Sequence, residues 1–147
     1  MKTLPKWQGR LIAGLVLLIA VTAALGAAPA TLSFDSLYKY SVFGLTFSDQ
    51  VKQNAGKEVT VEGFMAPPLR AKGNFFVLTK QPVSLCPFCN SDADWPDDII
   101  VVYLEKAEVF KQLNRTIKVT GTLETGSYRD PETGFVSQLR LVDAKYK

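Results

Sequence analysis

Residues 57–65 read KEVTVEGFM, and the character of the side chains alternates along this stretch. Small or apolar residues occupy every second position: Val59, Val61, Gly63 and Met65. Alternation with a period of two is typical of a strand that buries one face. Gly63 inside this pattern predicts a bend or a bulge. The stretch is therefore predicted to be the first strand of a β-rich domain.

Four later segments also have strand character, and one helical pattern interrupts them. The predicted strands read NFFVLTK at 74–80, IIVVYL at 99–104, TIKVTGTLE at 116–124 and VSQLRLVD at 136–143. After the third strand, EKAEVFKQLN places Ala107, Phe110 and Leu113 at helical spacing. This spacing predicts a short amphipathic helix over residues 105–114.

Three strands, a helix and two strands follow the order of an OB-fold. The predicted fold class is therefore mainly β, a five-stranded OB-like Greek-key barrel with one short helix between strands 3 and 4. An SH3-like barrel and a small open sandwich remain alternatives. The predicted domains are a barrel over residues 56–147 and an N-terminal extension over residues 31–55. This extension is rich in apolar side chains, so we expect it to pack on the barrel or on a partner.

The start of the chain predicts export. Three cations, Lys2, Lys6 and Arg10, precede an uninterrupted small or apolar stretch at 11–28. A cleaved signal peptide and a retained transmembrane anchor helix both fit residues 1–30, because the apolar stretch is long for a signal and close to the length of a membrane span. Either outcome places residues 31–147 outside the cytoplasm, in the cell envelope as an inner-membrane-anchored or periplasmic protein.

The charge distribution argues against nucleic acid as a partner. All 14 acidic residues lie after residue 30, together with 14 of the 17 basic residues, so the exported part is formally neutral. A nucleic-acid binder needs an excess of cations to displace counterions from phosphates. The excess of three positive charges belongs to the targeting segment instead.

The motif order resembles a known family. GKEVTVEGFMAPPL at 56–69 is followed by FFVLTK and then by a cysteine-containing loop that runs into DIIVVYL. This order is similar to a family of exported bacterial proteins of unknown function, which often look like accessory components of ABC-transporter or metal-related gene sets. The resemblance implies an exported OB-like accessory domain with an envelope partner such as an ABC transporter. It supplies no reaction.

The loop SLCPFCNSDADWPDD at 84–98 holds both cysteines of the chain, Cys86 and Cys89. Three interpretations stay open. A disulfide between the two cysteines would pin the loop, as expected in an oxidising compartment. Zinc or copper would need further ligands, for which Asp92 and Asp94 are the candidates. Thiol-disulfide exchange would use Cys86 as the nucleophile and Cys89 as the resolving thiol.

The sequence shows no evident catalytic apparatus. The chain has no histidine, which excludes Ser-His-Asp and Cys-His arrangements. Trp95 in the same loop is a candidate partner-binding anchor, and packing under the loop is its alternative role. The sequence therefore predicts a non-catalytic, membrane-associated binding or accessory protein of the envelope. An envelope thiol-disulfide protein that uses Cys86-Pro87-Phe88-Cys89 is the alternative, and a purely structural partner-docking domain is a third hypothesis.

Overall fold

The computed structural model describes residues 28–42, 44–84 and 95–147. These residues form a β-rich structure, which confirms the predicted mainly-β class. Its elements are β1 (Ala30–Leu32), a 3₁₀ turn (Phe34–Ser36), β2 (Tyr38–Ser41), β3 (Gly44–Phe47), α1 (Asp49–Asn54), β4 (Glu58–Met65), β5 (Lys72–Thr79), β6 (Ile99–Val109), β7 (Thr116–Arg129) and β8 (Val136–Tyr146).

Six strands form one mixed sheet in the order β1-β4-β5-β6-β8-β7, and β7 also pairs with β4. Most neighbours are antiparallel, but β6 and β8 run parallel. Strand β1 pairs in parallel with β4, with Thr31 opposite Thr60. Strands β2 and β3 form a separate antiparallel hairpin.

One face of these strands carries the main hydrophobic core. The alternation predicted for KEVTVEGFM is present in β4, where Val59, Val61 and Met65 are buried. Residues of the 31–55 segment enter the same core, because Leu32, Phe34, Leu37 and Val51 pack in one cluster with the sheet. Burial of this kind of apolar surface is the main favourable contribution to folding.

Gly63 allows the N-terminal segment to lie against β4. A methyl group at this position would lie 2.7 Å from the carbonyl oxygen of Thr79 and 2.8 Å from Cε2 of Phe34. Because glycine has no side chain, Phe34 can pack directly over the strand and still leave room for the backbone of β5.

The predicted helix over 105–114 is wrong. Strand β6 continues to Val109, which pairs with Lys72 of β5, and the amide of Phe110 then donates to the carbonyl of Ala71 at 3.0 Å. Phe110 is buried, and its ring meets Phe76 edge-on, whereas Ala107 is exposed. Pairing with β5 therefore satisfies the backbone and buries Phe110 without a helix, and tertiary contacts override the helical spacing.

The one α-helix within the described residues is α1, which lies before β4. The side chain of Ser48 accepts a hydrogen bond from the amide of Val51 at 3.2 Å and so caps the helix. Val51 is fully buried and fixes the helix on the core. Among the described residues, no helix has the length and apolar character needed to cross a membrane, and the predicted segment at 11–28 lies almost wholly outside them.

Candidate functional site

The cysteine loop leaves the sheet after β5 and returns to it at β6. Cys86, Cys89, Asp92 and Asp94 lie outside the described residues, so their predicted roles stay predictions. Both flanks of the loop are described. Val83 on one side and Trp95 on the other pack against the same small cluster of buried side chains, formed by Ala66, Val77 and Ile99.

Trp95 is held by a tyrosine of the β2–β3 hairpin. Its indole N–H donates to the hydroxyl of Tyr38 at 2.6 Å, and the tryptophan ring packs on both hydrophobic clusters. The ring of Tyr38 lies 5.4 Å from the ring of Phe47 on the neighbouring strand. Trp95 is therefore half-buried and fixed in orientation, which is how a tryptophan with an apolar body and one polar atom is normally satisfied.

A second contact joins the same two segments. The hydroxyl of Tyr40 donates to Oδ2 of Asp97 at 2.9 Å. Beside it, the amine of Lys80 lies 2.5 Å from Oδ1 of Asp35, and the amide of Lys80 donates to the carbonyl of Asp98. The Tyr40–Asp97 and Lys80–Asp35 contacts are exposed, and exposed pairs add little stability one by one.

Both tyrosines hold their protons more tightly than an ordinary tyrosine does. Burial raises the pKa of Tyr38 well above its usual value, the hydrogen bond from Trp95 opposes that rise, and the charge of Asp97 adds to it. The hydrogen bond to Asp97 and its negative charge raise the pKa of Tyr40. Both groups therefore act as neutral hydrogen-bonding hydroxyls rather than as acids.

A cleft of about 630 Å³ opens beside Trp95. Its walls are Tyr38, Leu45, Thr46, Phe47, Lys52, Trp95 and Gln138. Aromatic walls with one cation and one amide at the rim are suited to binding an apolar group that carries a polar end. The cleft contains no cluster of groups that would perform acid-base chemistry among its described residues.

A second cleft of about 450 Å³ lies on the other side of Tyr38. It is lined by Phe34, Asp35, Tyr38, Tyr40, Lys80, Gln81, Asp97 and Asp98. Three carboxylates face a single amine here, so the formal charge of these side chains is −2. The two clefts therefore differ in character, one being aromatic and the other acidic.

The described residues provide no set of ligands for the predicted metal site. Within residues 28–42, 44–84 and 95–147, no group of three or more Asp, Glu, Cys or His side chains could hold a metal ion. The predicted set, Cys86, Cys89, Asp92 and Asp94, supplies two thiolates and two carboxylates, a combination that zinc accepts.

Sequence reasoning singled out Trp95, whose partner-binding role stays a prediction, but it missed the residues that contact Trp95. Tyr38, Tyr40 and Phe47 were recognised only as part of an apolar segment, and Lys52 carried no signal at all. The contacts Trp95–Tyr38 and Asp97–Tyr40 each join residues 57 positions apart, so no local pattern reports them.

The fold is similar to that of a crystal structure described as a DUF3299 family protein from Pseudomonas aeruginosa PAO1. The TM-score is 0.51 at 14% sequence identity, and the match covers 79% of this chain and 93% of the other. No family model and no curated protein matches the sequence. The similarity concerns the fold alone.

Proposed function

We propose that the protein is an exported, membrane-associated binding or accessory protein of the cell envelope, built on an OB-like barrel. Five strands support the barrel assignment, since β4, β5, β6, β8 and β7 pair in that order and β7 pairs again with β4. The parallel pairing of β6 with β8 also fits an OB-type Greek key, in which the fifth strand returns beside the third. The barrel would lack the helix expected between strands 3 and 4.

The aromatic cleft at the flank of the cysteine loop is the observation that carries the binding function. Trp95 reaches the cleft with its N–H already satisfied by Tyr38, so the ring offers apolar surface without an unpaired polar atom. A side chain fixed before binding loses little conformational entropy when a partner arrives. Tryptophan in such a position is a frequent energetic anchor of protein interfaces.

The envelope location is supported by the sequence at residues 1–30, with its cations and apolar stretch. A fusion of the full chain to alkaline phosphatase, which is active only outside the cytoplasm, tests it. We expect an active fusion, and Leu17→Arg with Leu18→Arg in the apolar stretch to abolish that activity. An active fusion that carries both arginines would contradict export through this segment.

In-cell photo-crosslinking tests the binding function. Benzoylphenylalanine at Gln138, on the rim of the aromatic cleft, should form an adduct with an envelope protein, for which an ABC transporter is the first candidate. The same photoprobe at Lys145, an exposed position on β8 away from the cleft, should not form that adduct. Equal adducts from both positions, or none from Gln138, would exclude the cleft as the binding surface.

The chemical state of the two cysteines distinguishes the accessory role from thiol-disulfide exchange, the alternative that the Cys86-Pro87-Phe88-Cys89 spacing favours. Purified full-length protein should be analysed for zinc and copper and for free thiols in the same sample. Bound metal with protected thiols would support a metal-related role through Cys86, Cys89, Asp92 and Asp94. A stable disulfide that resists exchange with glutathione would support a structural staple. Rapid exchange that Cys86→Ser abolishes would support the redox alternative.

A further inference from the structure

The first strand begins very close to the predicted membrane anchor. The apolar stretch at 11–28 ends two residues before Ala30, where β1 starts. A connection of two residues spans at most about 7 Å, and Pro29 removes conformational freedom from it. An anchor that stays in the bilayer therefore holds the start of β1 close to the membrane.

The predicted anchor has no spare residues that could lengthen this connection. Its 18 residues would cover about 27 Å as a helix, because an α-helix rises about 1.5 Å per residue. The hydrocarbon core of a bilayer is about 30 Å thick, and the headgroup layer adds about 5–8 Å on each side. The whole stretch is thus needed to cross the core, and the short connection leaves the start of β1 at the level of the headgroups.

The pairing of β1 with β4 places the turn after α1 at the same level. Ala30 pairs with Val59 of β4, and neighbouring strands lie about 4.8 Å apart. Residues 54–57 form the turn that leads into β4, and in it the amide of Lys57 donates to the carbonyl of Asn54 at 3.0 Å. All residues of this turn after Asn54 are exposed. We call residues 54–57 the α1–β4 turn.

The charges around the α1–β4 turn do not oppose contact with lipid. Residues 49–58 contain two carboxylates, Asp49 and Glu58, and two amines, Lys52 and Lys57, so the formal charge of this segment is zero. Both lysines are exposed. Long amine side chains beside a membrane can extend to the headgroups and bind lipid phosphates.

We infer that the short connection after residue 28 holds the α1–β4 turn on the phospholipid headgroups of the membrane in which residues 11–28 are anchored. The β4–β7 ladder rises from this surface. The inference rests on the proposed membrane association and adds the face by which the barrel meets the bilayer.

This orientation places the aromatic cleft near the membrane. Lys52 lies in the last turn of α1 and forms part of the wall of the cleft. A partner embedded in the same membrane can therefore reach the cleft, and this suits a transporter subunit.

The β4–β7 ladder provides two matched positions at its opposite ends. Lys57 directly precedes Glu58 at one end, and Arg115 directly precedes Thr116 at the other. Both Lys57 and Arg115 are exposed cations. The β4 residues of the two end pairs, Glu58 and Phe64, are six positions apart, which corresponds to about 20 Å in a strand.

The experiment reconstitutes the full chain in phosphatidylcholine vesicles, with a fluorescent amino acid at position 57 or at position 115. Part of the lipid carries a nitroxide quencher on its headgroup. Because a nitroxide quenches only over short distances, we expect position 57 to lose most of its emission and position 115 to keep its emission. Unfolding by urea should be the same for both variants and the unsubstituted chain, since both positions are exposed.

A longer connection tests whether the tether causes the contact. About ten Gly and Ser residues, inserted between Ala28 and Pro29, add about 17 Å of flexible chain on average. The insertion lies before β1, so the sheet keeps its strand pairs. We expect this variant to keep its unfolding free energy and to lose most of the quenching at position 57.

Three results would overturn the inference: equal quenching at both positions, no quenching at position 57, or quenching that the inserted spacer leaves unchanged. The mass of the chain in its native membrane separates this failure from failure of the proposed function. A mature chain that lacks residues 11–28 has no anchor, so the proposed membrane association fails together with the inference. An intact anchor with position 57 unquenched leaves membrane association in place and excludes the α1–β4 turn as the contact.

Discussion

The five long strands β4 to β8 and the β2–β3 hairpin are stabilised in different ways. The long strands supply most of the buried core and pair with each other in one sheet. The hairpin is a two-stranded sheet whose residues are mostly exposed or half-buried. Its contacts with the rest of the chain include the Trp95–Tyr38 and Tyr40–Asp97 hydrogen bonds. An isolated hairpin of this size is marginal in water, so its position depends on such contacts, chiefly on the part-buried Trp95–Tyr38 hydrogen bond.

This difference indicates a division between stability and recognition. Regions with few buried apolar contacts open at low free energy, whereas core strands open only with global unfolding. The two candidate binding clefts lie at the hairpin and the flank of the cysteine loop. The long strands should therefore tolerate changes in these clefts without loss of fold.

Phe76→Ala should have the largest effect. Phe76 is fully buried, and its ring meets both Phe110 and Tyr146 edge-on. Removing it leaves a large cavity, and we expect a loss of about 3–5 kcal/mol in the free energy of unfolding by urea. Amide exchange should quicken in the long strands and in the hairpin together. Leu69→Ala, at a leucine that is 40% exposed, is the control and should cost less than about 1 kcal/mol.

Gly63→Ala should have the next largest effect, because Phe34 of the 3₁₀ turn packs directly over this glycine of β4. The added methyl group would be too close to the Thr79 carbonyl oxygen and to Phe34. We expect a loss of about 1–3 kcal/mol in unfolding free energy, since the backbone of β5 cannot move away cheaply. Gly73→Ala is the matched control, because its nearest contact would be an ordinary 3.6 Å. Equal destabilisation by both variants would show that the close packing at Gly63 is unimportant.

The long strands were predictable from sequence because each one carries its own signal. Alternating apolar residues in 57–65 and 136–143 reported a buried face directly. The error at 105–114 has a physical cause. Phe110 and Leu113 lie at helical spacing, but an extended strand and the loop after it can also bring both side chains to the core. The pairing of Val109 with Lys72 makes this segment a strand rather than a helix, and the two residues are far apart in the sequence.

The candidate site was predictable only in part. Trp95 stood out by composition, but Tyr38, the tyrosine that positions it, lies 57 residues away in sequence. Helix α1 was also missed, although Ser48 carries a capping signal, because six residues are too short to show a helical period. Sequence patterns report local burial, and this site is assembled from side-chain contacts between distant segments.

Tyr38→Phe should loosen the hairpin while leaving the long strands intact. The variant keeps the ring contact with Phe47 but leaves the Trp95 N–H without its acceptor. We expect about 1–2 kcal/mol of destabilisation, the cost of an unsatisfied, partly buried donor. Amide exchange should quicken in β2 and β3 and stay unchanged in β4 to β8. The emission of Trp95, measured in a Trp7→Phe background, should shift to longer wavelength.

Tyr40→Phe is the control for that variant, because its hydrogen bond to Asp97 is exposed. We expect unchanged emission from Trp95 and unchanged exchange in β3. If Tyr40→Phe opens the hairpin as much as Tyr38→Phe does, the exposed Tyr40–Asp97 hydrogen bond holds the hairpin as strongly as the part-buried Tyr38–Trp95 bond does.

The smallest effect should appear at alkaline pH, and Tyr146 provides it. Burial, followed by the hydrogen bond to Glu108, raises the pKa of Tyr146 from 10.0 to about 12. The folded state therefore holds this proton more tightly than the unfolded state, so the contribution is complete below pH 10 and is lost as the pH rises from 10 to 12. Unfolding free energy, measured by urea titration across that range, should fall with a steeper slope in the natural chain than in Tyr146→Phe.

Comparing the two proteins at each pH cancels every contribution that the two chains have in common. Alkaline pH also distinguishes the long strands from the hairpin, because burial raises the pKa of Tyr38, which lies in the hairpin. Because Tyr38 holds its proton more tightly in the closed hairpin than in the open one, alkaline pH should favour opening of β2 and β3 without changing global stability, provided that the hairpin opens by itself. If Tyr38→Phe flattens the global slope as much as Tyr146→Phe does, the hairpin unfolds only with the long strands, and the division between a stable sheet and a separately opening recognition element is wrong.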